Sequence, residues 1–297
     1  MRVGFIGIGA MGRPMSRHVL EAGYELVVND IRKEAAQELV SRGARWENTP
    51  KGVAQSCEVV LTSLPTPKDV EDVVYGERGL TAGWKKGDIL VDMSTNSPAV
   101  IRRIAEEAQA RGVEVLDAPV SGMVKGAESG RLSIMVGGKA EVLEKVRKIL
   151  EAMGNVIVHV GDVGCGNIAK LINNMIAFGC SQITYEGMVL GAKAGIDVRT
   201  LREVLKNSSG TNNCVQNVLP SVFAGNFEPG FRINLALKDI GLALGMAKEN
   251  AVPTPIGAAV EQRLLEAKAS GLGEKSSHAL ILLLEKAVGI EVRTPQP

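Results

Sequence analysis

The chain has 297 residues, of which 45% are hydrophobic and 23% charged, and its formal net charge is +1. This length and composition allow two ordinary globular domains, and a balanced charge without a basic stripe argues against nucleic acid or an anionic membrane as the main partner. The first strand-like run begins at Val3, leaving no room for a signal peptide, and no apolar stretch is long enough to span a bilayer, so we expect a cytoplasmic protein.

Short β-rich runs alternate with helical patterns through the first half of the chain. The predicted strands cover residues 3–6, 26–29, 59–63, 89–92, 113–116, 133–136 and 156–160. The predicted helices cover residues 11–22, 33–42, 98–111 and 140–153. Ser97 is the expected N-cap of the third helix, with Pro98 at its first position. This alternation predicts a largely parallel sheet with helices on both faces.

The pattern changes after Gly161. Residues 166–195 contain no proline and few charges, which predicts one long and mostly apolar helix. Further helices are predicted over residues 198–207, 234–250, 256–269 and 277–288, with Asp197 capping the first of them. The expected fold class is therefore α/β, with a sheet domain over residues 1–163 and an all-helical domain over residues 164–297, joined by the long helix.

Three glycines separate the first strand from the first helix. Gly7 permits a tight turn, Gly9 lets the main chain approach a pyrophosphate, and Gly12 allows close packing of helix and strand. The helix N-terminus would attract the phosphates. A tight turn without a ligand is the alternative. The strand before the turn, the helix after it and the acidic residue at the end of the next strand favour a Rossmann dinucleotide-binding domain. The predicted contacts of this segment are Gly7, Ile8, Gly9, Ala10, Met11 and Gly12.

The second predicted strand ends in Asn29 and Asp30, both expected to contact the cofactor. A carboxylate there hydrogen-bonds the adenosine ribose and repels a 2′-phosphate, which favours NAD. Ile31 stands where an NADP enzyme often has arginine, but Arg32 is close enough to leave NADP possible. An aspartate that merely caps a helix is the alternative. Three more cofactor contacts are expected at later strand ends, where doubly wound sheets form their crevice: Leu64, Pro65 and Thr95.

Lys170, near the start of the long helix, is the predicted catalytic residue. Hydride transfer to an aldehyde builds negative charge on oxygen, so a nearby acid must supply a proton. Burial and a neighbouring nicotinamide cation would lower the pKa of a lysine toward neutrality. Asn174 lies one helical turn later on the same face and could bind the substrate hydroxyl or the lysine amine. A solvated lysine is the alternative, which the apolar sequence around Lys170 disfavours.

Four segments, in this order, resemble the β-hydroxyacid dehydrogenases, the family that contains 3-hydroxyisobutyrate dehydrogenase and tartronate semialdehyde reductase. They are residues 4–15 with the glycine turn, residues 117–122, residues 164–174 with Lys170 and Asn174, and residues 231–239. The resemblance covers nearly the whole chain. It implies a Rossmann domain followed by a helical domain, an active site in the cleft between them, NAD(P)-linked interconversion of a short 3-hydroxy acid and its semialdehyde, and a homodimer or homotetramer.

The resemblance also assigns residues to the substrate. Ser121, Gly122 and Met123 would hold the substrate carboxylate, although Met123 stands where a second glycine is usual, which leaves the loop conformation and the substrate size open. Thr95 would lie by the nicotinamide, and Leu64-Pro65 by a ribose. Lys238 would reach the cofactor or substrate; otherwise it is an exposed lysine paired with Asp239 or Glu249. The candidate specificity residues are Met123, Asn213, Phe231 and Asn234.

Other functions stay open at this point. An NADPH-dependent reductase of glyoxylate or succinic semialdehyde, a 2-(hydroxymethyl)glutarate dehydrogenase and an inactive dinucleotide-binding module are the alternatives; Asp30 argues against the first and Lys170 against the last. The four cysteines and three histidines lack the spacing of a zinc site, so we expect no metal.

Overall fold

The computed structural model describes residues 1–294. The chain divides into two compact units, one comprising Met1–Lys170 and the other beginning at Leu171. This division falls inside a single long helix and does not mark where a domain begins along the chain. The boundary expected from the sequence, between residues 163 and 164, therefore stays a prediction.

The first unit is built on a sheet of nine strands within the described residues. The strands are β1 (Arg2–Ile6), β2 (Glu25–Asn29), β3 (Arg45–Trp46), β4 (Val59–Thr62), β5 (Ile89–Asp92), β6 (Glu114–Asp117), β7 (Val120–Ser121), β8 (Leu132–Gly137) and β9 (Gly154–Gly161). Their order is β3-β2-β1-β4-β5-β6-β8-β7, with β9 also paired to β8. The six strands from β1 to β6 are parallel, whereas β8 is antiparallel to β6 and β7. The sheet is thus largely parallel, as predicted, with an antiparallel edge that the sequence did not indicate.

Helices cover this sheet. They are α1 (Gly12–Glu21), α2 (Gln37–Ser41), α3 (Pro50–Ser56), α4 (Pro67–Tyr75), α5 (Pro98–Gln109), α6 (Met123–Glu128) and α7 (Ala140–Glu151). The helix predicted over residues 33–42 is a 3₁₀ turn, Lys33–Ala36, followed by the short α2. Ser97 is the N-cap of α5 and Pro98 its first residue, as predicted, although the Ser97 side chain makes no capping hydrogen bond.

Three helices of this unit, α3, α4 and α6, were not predicted, and the sequence marks the beginnings of the first two. Both α3 and α4 begin with proline after a threonine. Thr49 accepts a hydrogen bond from the Gly52 N–H at 3.0 Å, and Thr66 forms a capping box with Asp69. A threonine N-cap followed by proline is a helix-start signal. The beginnings of α3 and α4 could therefore be recognised from the sequence.

The two faces of the sheet bury separate apolar clusters. Val3 and Phe5 of β1 pack on one face, and Ile6 of the same strand packs on the other. Successive side chains of a strand point to opposite faces, so a strand that is apolar throughout must be covered on both sides. Parallel pairing places the carboxyl ends of β1, β4, β5 and β6 side by side at the same end of the sheet.

The second unit is all-helical, as predicted, in the part of the chain that the structure describes. Its helices are α8 (Cys165–Lys193), whose first turns belong to the first unit, α9 (Val198–Lys206), α10 (Leu219–Phe223), α11 (Ile233–Glu249), α12 (Pro255–Ala267) and α13 (Ile281–Val288). Asp197 caps α9 as expected, accepting from the Thr200 N–H at 2.9 Å. A core around Tyr185, Met188 and Ile240 holds this unit together. None of the helices within residues 1–294 combines the length and apolarity needed to cross a membrane.

Candidate functional site

The turn between β1 and α1 has the geometry that its glycines predict. Gly7 has a φ of +93°, and a Cβ there would collide with the main-chain oxygen of Ser63. A Cβ at Gly12 would collide with the carbonyl oxygen of Gly7, so only glycine lets the helix pack this close to the strand. A Cβ at Gly9 would meet no atom of the described residues within 4 Å. The open space at Gly9 fits the approach of a pyrophosphate.

The N-terminus of α1 also fits a phosphate. Met11 at its N-cap makes no side-chain capping hydrogen bond, and its first turn carries no acidic residue, so the positive helix end favours a bound anion. Ala10 is exposed and Met11 half-buried, whereas Ile8 is buried. The segment from Gly7 to Gly12 thus has the steric and electrostatic properties of a dinucleotide turn.

Asp30 supports this turn from the residue after β2. Its Oδ2 accepts a hydrogen bond from the Ile8 N–H at 2.7 Å, and its Oδ1 accepts one from the Arg32 N–H at 2.8 Å. A carboxylate has about four acceptor positions, so two bonds leave acceptors for ribose hydroxyls. Arg32 is 69% exposed and its Nε lies 3.9 Å from Asp30 Oδ1. Asp30 therefore holds the glycine turn, and it could bind a ribose as well.

Asn29 has a different local partner. Its Nδ2 donates to the main-chain oxygen of Glu47 at 2.8 Å, which ties the end of β2 to the residue after β3. The amide is buried and engaged with the protein. A contact between Asn29 and a cofactor stays a prediction.

The ends of β4 and β5 are linked beside the predicted ribose and nicotinamide contacts. Ser94 Oγ accepts from the Leu64 N–H at 2.9 Å. Pro65 is exposed and Thr95 is half-buried. These residues share the sheet edge at which β1 ends, as parallel pairing of β1 with β4 and of β4 with β5 requires.

Lys170 lies in the second turn of α8 and is only 9% exposed. The beginning of α8 is capped by a side chain from another element: Asp117, the last residue of β6. Its Oδ1 accepts from the Gly164 N–H at 2.7 Å, and its Oδ2 accepts from the Asn167 N–H at 2.7 Å. Because Lys170 is buried, the alternative of a solvated lysine is wrong.

Asn174 follows Lys170 by one turn of α8 and is also buried. Its Nδ2 donates to Asp239 Oδ2 at 2.6 Å. Lys238 Nζ lies 2.9 Å from Asp239 Oδ1 and forms an ion pair with this buried carboxylate. Lys238 is thus paired with Asp239, as the alternative interpretation held, but with 17% of its side chain exposed it is not a surface lysine. Its role toward a cofactor stays a prediction.

The segment predicted to bind the substrate carboxylate, residues 121–123, joins a short strand to a helix. Ser121 belongs to the short strand β7 and pairs in register with Ser133 of β8. Gly122, with a φ of +138°, turns the chain into α6, and Met123 opens that helix with a φ of +56°. Met123 thus occupies the left-handed region that glycine prefers, at a cost of roughly 1–2 kcal/mol for an L-residue. Met123 is 55% exposed, so this turn presents an apolar side chain to its surroundings.

The other candidate specificity residues have partners within the second unit. Phe231 stacks on Phe178, with 5.8 Å between ring centroids. Asn234 Nδ2 donates to Glu274 Oε1 at 2.8 Å, and Asn213 Oδ1 accepts from Asn217 Nδ2 at 2.9 Å. Their contacts give each of them a structural role, and contact with a substrate stays a prediction.

Two family models together match most of the chain. Residues 2–161 match the NAD binding domain of 6-phosphogluconate dehydrogenase. Residues 164–284 match a domain described as the NAD-binding domain of NADP-dependent 3-hydroxyisobutyrate dehydrogenase. Both descriptions are of dinucleotide-binding oxidoreductases.

Individual proteins are similar over nearly their full length. A 2-(hydroxymethyl)glutarate dehydrogenase of Eubacterium barkeri is 37% identical over 294 residues, covering 98% of this chain and 97% of the relative. A 3-hydroxyisobutyrate dehydrogenase of Pseudomonas aeruginosa is 41% identical over 263 residues, covering 86% and 88%. The structure of a Mycobacterium tuberculosis 3-hydroxyisobutyrate dehydrogenase with L-serine superposes with a TM-score of 0.88 at 30% identity, covering 96% of this chain and 99% of that one.

Proposed function

This chain belongs to the β-hydroxyacid dehydrogenase family of NAD(P)-dependent enzymes, and we propose that it interconverts a short 3-hydroxy acid and its semialdehyde with NAD as the preferred cofactor. The observation that carries this proposal is the buried Lys170 on the capped first turns of α8. An inactive dinucleotide-binding module has no chemical need for a lysine in such a place. The cofactor preference is supported by Asp30 at the end of β2 and by the fully exposed Ile31 beside it.

The glycine turn from Gly7 to Gly12, together with Asp30, would hold the cofactor. When bound, NAD supplies the acceptor for the hydride that leaves the substrate carbon. The amine of Lys170 accepts the hydroxyl proton during oxidation and returns it during reduction, as general acid–base catalysis requires. Asn174, whose amide is oriented by Asp239, binds the substrate oxygen from the next turn of the helix. Burial of both side chains excludes bulk water from the proton that moves.

The names of the relatives suggest a substrate class. 3-Hydroxyisobutyrate, 2-(hydroxymethyl)glutarate and serine share a hydroxymethyl group on the carbon that carries a carboxylate, and they differ in the other substituent of that carbon. We take this common unit as the substrate of this chain. A panel with methyl, hydroxyl, amino and carboxyethyl substituents, followed by absorbance at 340 nm with NAD and with NADP, tests the proposal. Absence of turnover on every member would overturn it.

Asp30→Asn is expected to raise the use of NADP relative to NAD. The amide oxygen can still accept from the Ile8 N–H, so the turn keeps its support, whereas the charge that repels a 2′-phosphate is lost. The ratio of kcat/KM values for NADP and NAD should rise by about tenfold, or ~1.4 kcal/mol. Glu34→Gln removes the same charge from a nearby exposed residue and serves as the control. A wild-type enzyme that already prefers NADP would contradict the assignment.

Ser121→Ala is expected to lower catalytic efficiency chiefly for carboxylate substrates. Loss of one hydrogen bond to a charged group costs roughly 1.5–3 kcal/mol. Activity on simple uncharged alcohols, which have no carboxylate to bind, should change little. Ser133→Ala makes the same replacement at the paired position of β8 and should have no such selectivity. Equal losses on both substrate types in Ser121→Ala would indicate a role in the loop or the cofactor instead.

We also propose that the protein is a homodimer or homotetramer that buries one face of α8. Three exposed apolar residues, Ile176, Ile183 and Leu190, recur every seven residues and so lie on one side of this helix, with exposed fractions of 58%, 63% and 70%. Light scattering should give a multiple of the chain mass, and Ile183→Glu should reduce it. Ile196→Glu, an exposed isoleucine beyond the helix, is the matched control. A monomeric wild-type protein would refute this part of the proposal.

A further inference from the structure

Two buried aspartates end neighbouring strands at the edge of the sheet where α8 begins. Asp92 ends β5 and Asp117 ends β6, and both are fully buried. Burial raises the pKa of both carboxyl groups, and the neighbouring Asp92 raises that of Asp117 further. Buried carboxylates are costly unless each is well supplied with hydrogen-bond donors. Each of the two buried carboxylates therefore requires hydrogen-bond donors from the surrounding protein.

The donors to Asp117 come from the beginning of α8. The Gly164 and Asn167 N–H groups bind its two oxygens, and Asn167 Nδ2 adds a weaker contact at 3.2 Å. These main-chain groups are at the N-cap and third positions of α8 and have no intrahelical acceptor. Because the Asp117 carboxylate accepts hydrogen bonds from both N–H groups, it fixes the position and the rotation of the first helical turn. The positive helix end in turn stabilises the negative charge of the carboxylate.

The donors to Asp92 come from its own strand end and from β4. Thr62 Oγ1 donates to Asp92 Oδ1 at 2.8 Å, and the Ser94 N–H donates to the same oxygen at 3.1 Å. Asn96 Nδ2 donates to Asp92 Oδ2 at 2.9 Å. Asp92 thereby fixes the segment from Ser94 to Asn96, which contains the predicted nicotinamide contact Thr95.

Asn167 joins the two aspartate clusters. Its Oδ1 accepts from the Asn96 N–H at 2.7 Å, while its N–H and amide bind Asp117. All three asparagine groups are therefore used, and Asn167 itself is fully buried. A continuous path of hydrogen bonds runs from Asp92 through Asn96 and Asn167 to Asp117. We name this path the buried polar network.

The network ends three residues before Lys170. Residues three apart on a helix share a face, so the rotation that Asn167 imposes on the first turn also sets the direction of the Lys170 side chain. At its other end, Ser94 Oγ binds the Leu64 N–H, in the loop expected beside a cofactor ribose. The network thus connects the first turns of α8, which carry Lys170, to the two loops expected beside the ribose and the nicotinamide, and all these residues lie in the first unit.

We propose that the buried polar network is a positioning device that holds Lys170 in register with the strand-end loops that bind the nicotinamide half of the cofactor, with Asn167 as its central residue. The inference rests on the proposed function, because Lys170 is the group that reacts. A misplacement of about 1 Å can cost about 10²-fold in rate. Asn167 and Asp117 are then positioning residues and touch neither substrate nor cofactor.

Asn167→Ala is the first test. It leaves the Asn96 N–H without its acceptor and removes the link between the two clusters, but the Asp117 cap keeps its main-chain donors. We expect kcat to fall by about 10²-fold, with the KM for NAD changed by less than about threefold, or ~0.7 kcal/mol. The primary deuterium isotope effect on kcat, with substrate deuterated at the carbinol carbon, should increase because hydride transfer becomes slower than product release. An unchanged kcat would overturn the inference.

A double-mutant cycle with Lys170→Ala separates positioning from general damage. If Asn167 acts through Lys170, the loss caused by Asn167→Ala should disappear in the Lys170→Ala background, since residues that act as a unit are non-additive. A loss of equal size in both backgrounds would show that the network does not act on Lys170. If Lys170→Ala alone retains turnover near wild type, the proposed role of Lys170 fails, and this inference fails with it.

Two further variants keep the test independent of stability. Val146→Ala, on the buried face of α7, should lower the melting temperature without changing kcat or the isotope effect. Asn96→Ala removes the side-chain contacts with Asp92 and with the Ser97 N–H but leaves the α8 cap intact, so it can be measured even if Asn167→Ala does not fold. It should change kcat and the isotope effect in the same direction, by a smaller factor. Wild-type values of both in Asn96→Ala would overturn the inference.

Discussion

Replacement of Lys170 by alanine is expected to lower turnover by about 10²–10⁴-fold, the usual contribution of general acid–base catalysis. The lysine is only 9% exposed, so water does not readily take over its part in proton transfer. The affinity for NAD should change little, because the glycine turn and Asp30 lie on other elements. Steady-state turnover together with fluorescence titration of the cofactor measures both quantities.

Two controls make this experiment specific. Lys193→Ala removes an exposed lysine from the last turn of the same helix and should retain full activity. Addition of a small primary amine to Lys170→Ala should restore part of the rate, because the amine can occupy the vacated volume and carry the proton. Near-full activity of Lys170→Ala without added amine would remove this residue from the mechanism.

Replacement of Gly9 by alanine is expected to weaken NAD binding by at least tenfold, or ~1.4 kcal/mol, with little loss of stability. No atom of the described residues lies within 4 Å of the added Cβ, so the free protein has room for it. The same methyl group would stand in the space through which a pyrophosphate approaches the main chain. Calorimetric titration with NAD and thermal melting of the free protein give the two readouts.

Gly12→Ala is the matched comparison in the same turn. Its Cβ would collide with the Gly7 carbonyl oxygen, so the helix or the turn must move. We expect Gly12→Ala to lower both the melting temperature and the affinity for NAD, whereas Gly9→Ala lowers only the affinity. If both variants bind NAD as the wild type does, the turn does not hold the cofactor.

Much of the fold follows from signals within a few residues. The alternation of strands and helices, the three glycines after β1 and the apolar length of α8 each depend on local periodicity, turn chemistry or capping. The sequence also predicted that Lys170 and Asn174 lie close together, because they are four residues apart on one helix and share a face. The Thr-Pro starts of α3 and α4 are local signals of the same kind.

The tertiary structure decided the arrangement around these local features. Asn167 and Asp117 are 50 residues apart in the chain, Asn96 and Asn167 are 71 apart, and Asn174 and Asp239 are 65 apart. Side-chain type and periodicity carry no information about such partners until the order of the strands and the packing of the helices are known. The antiparallel edge formed by β7 and β8 was hidden for the same reason, since pairing direction depends on the route of the chain.

Sequence alone therefore determined most of the elements and the glycine turn, and it predicts Lys170 as the reactive lysine, because each of these features is encoded by residues that are near neighbours along the chain. Only the folded structure determined how the beginning of α8 is capped, that Asp30 supports the glycine turn, and that Met123 keeps a left-handed conformation. These features depend on hydrogen bonds and steric contacts between segments that are brought together when the apolar faces of the sheet and helices are buried.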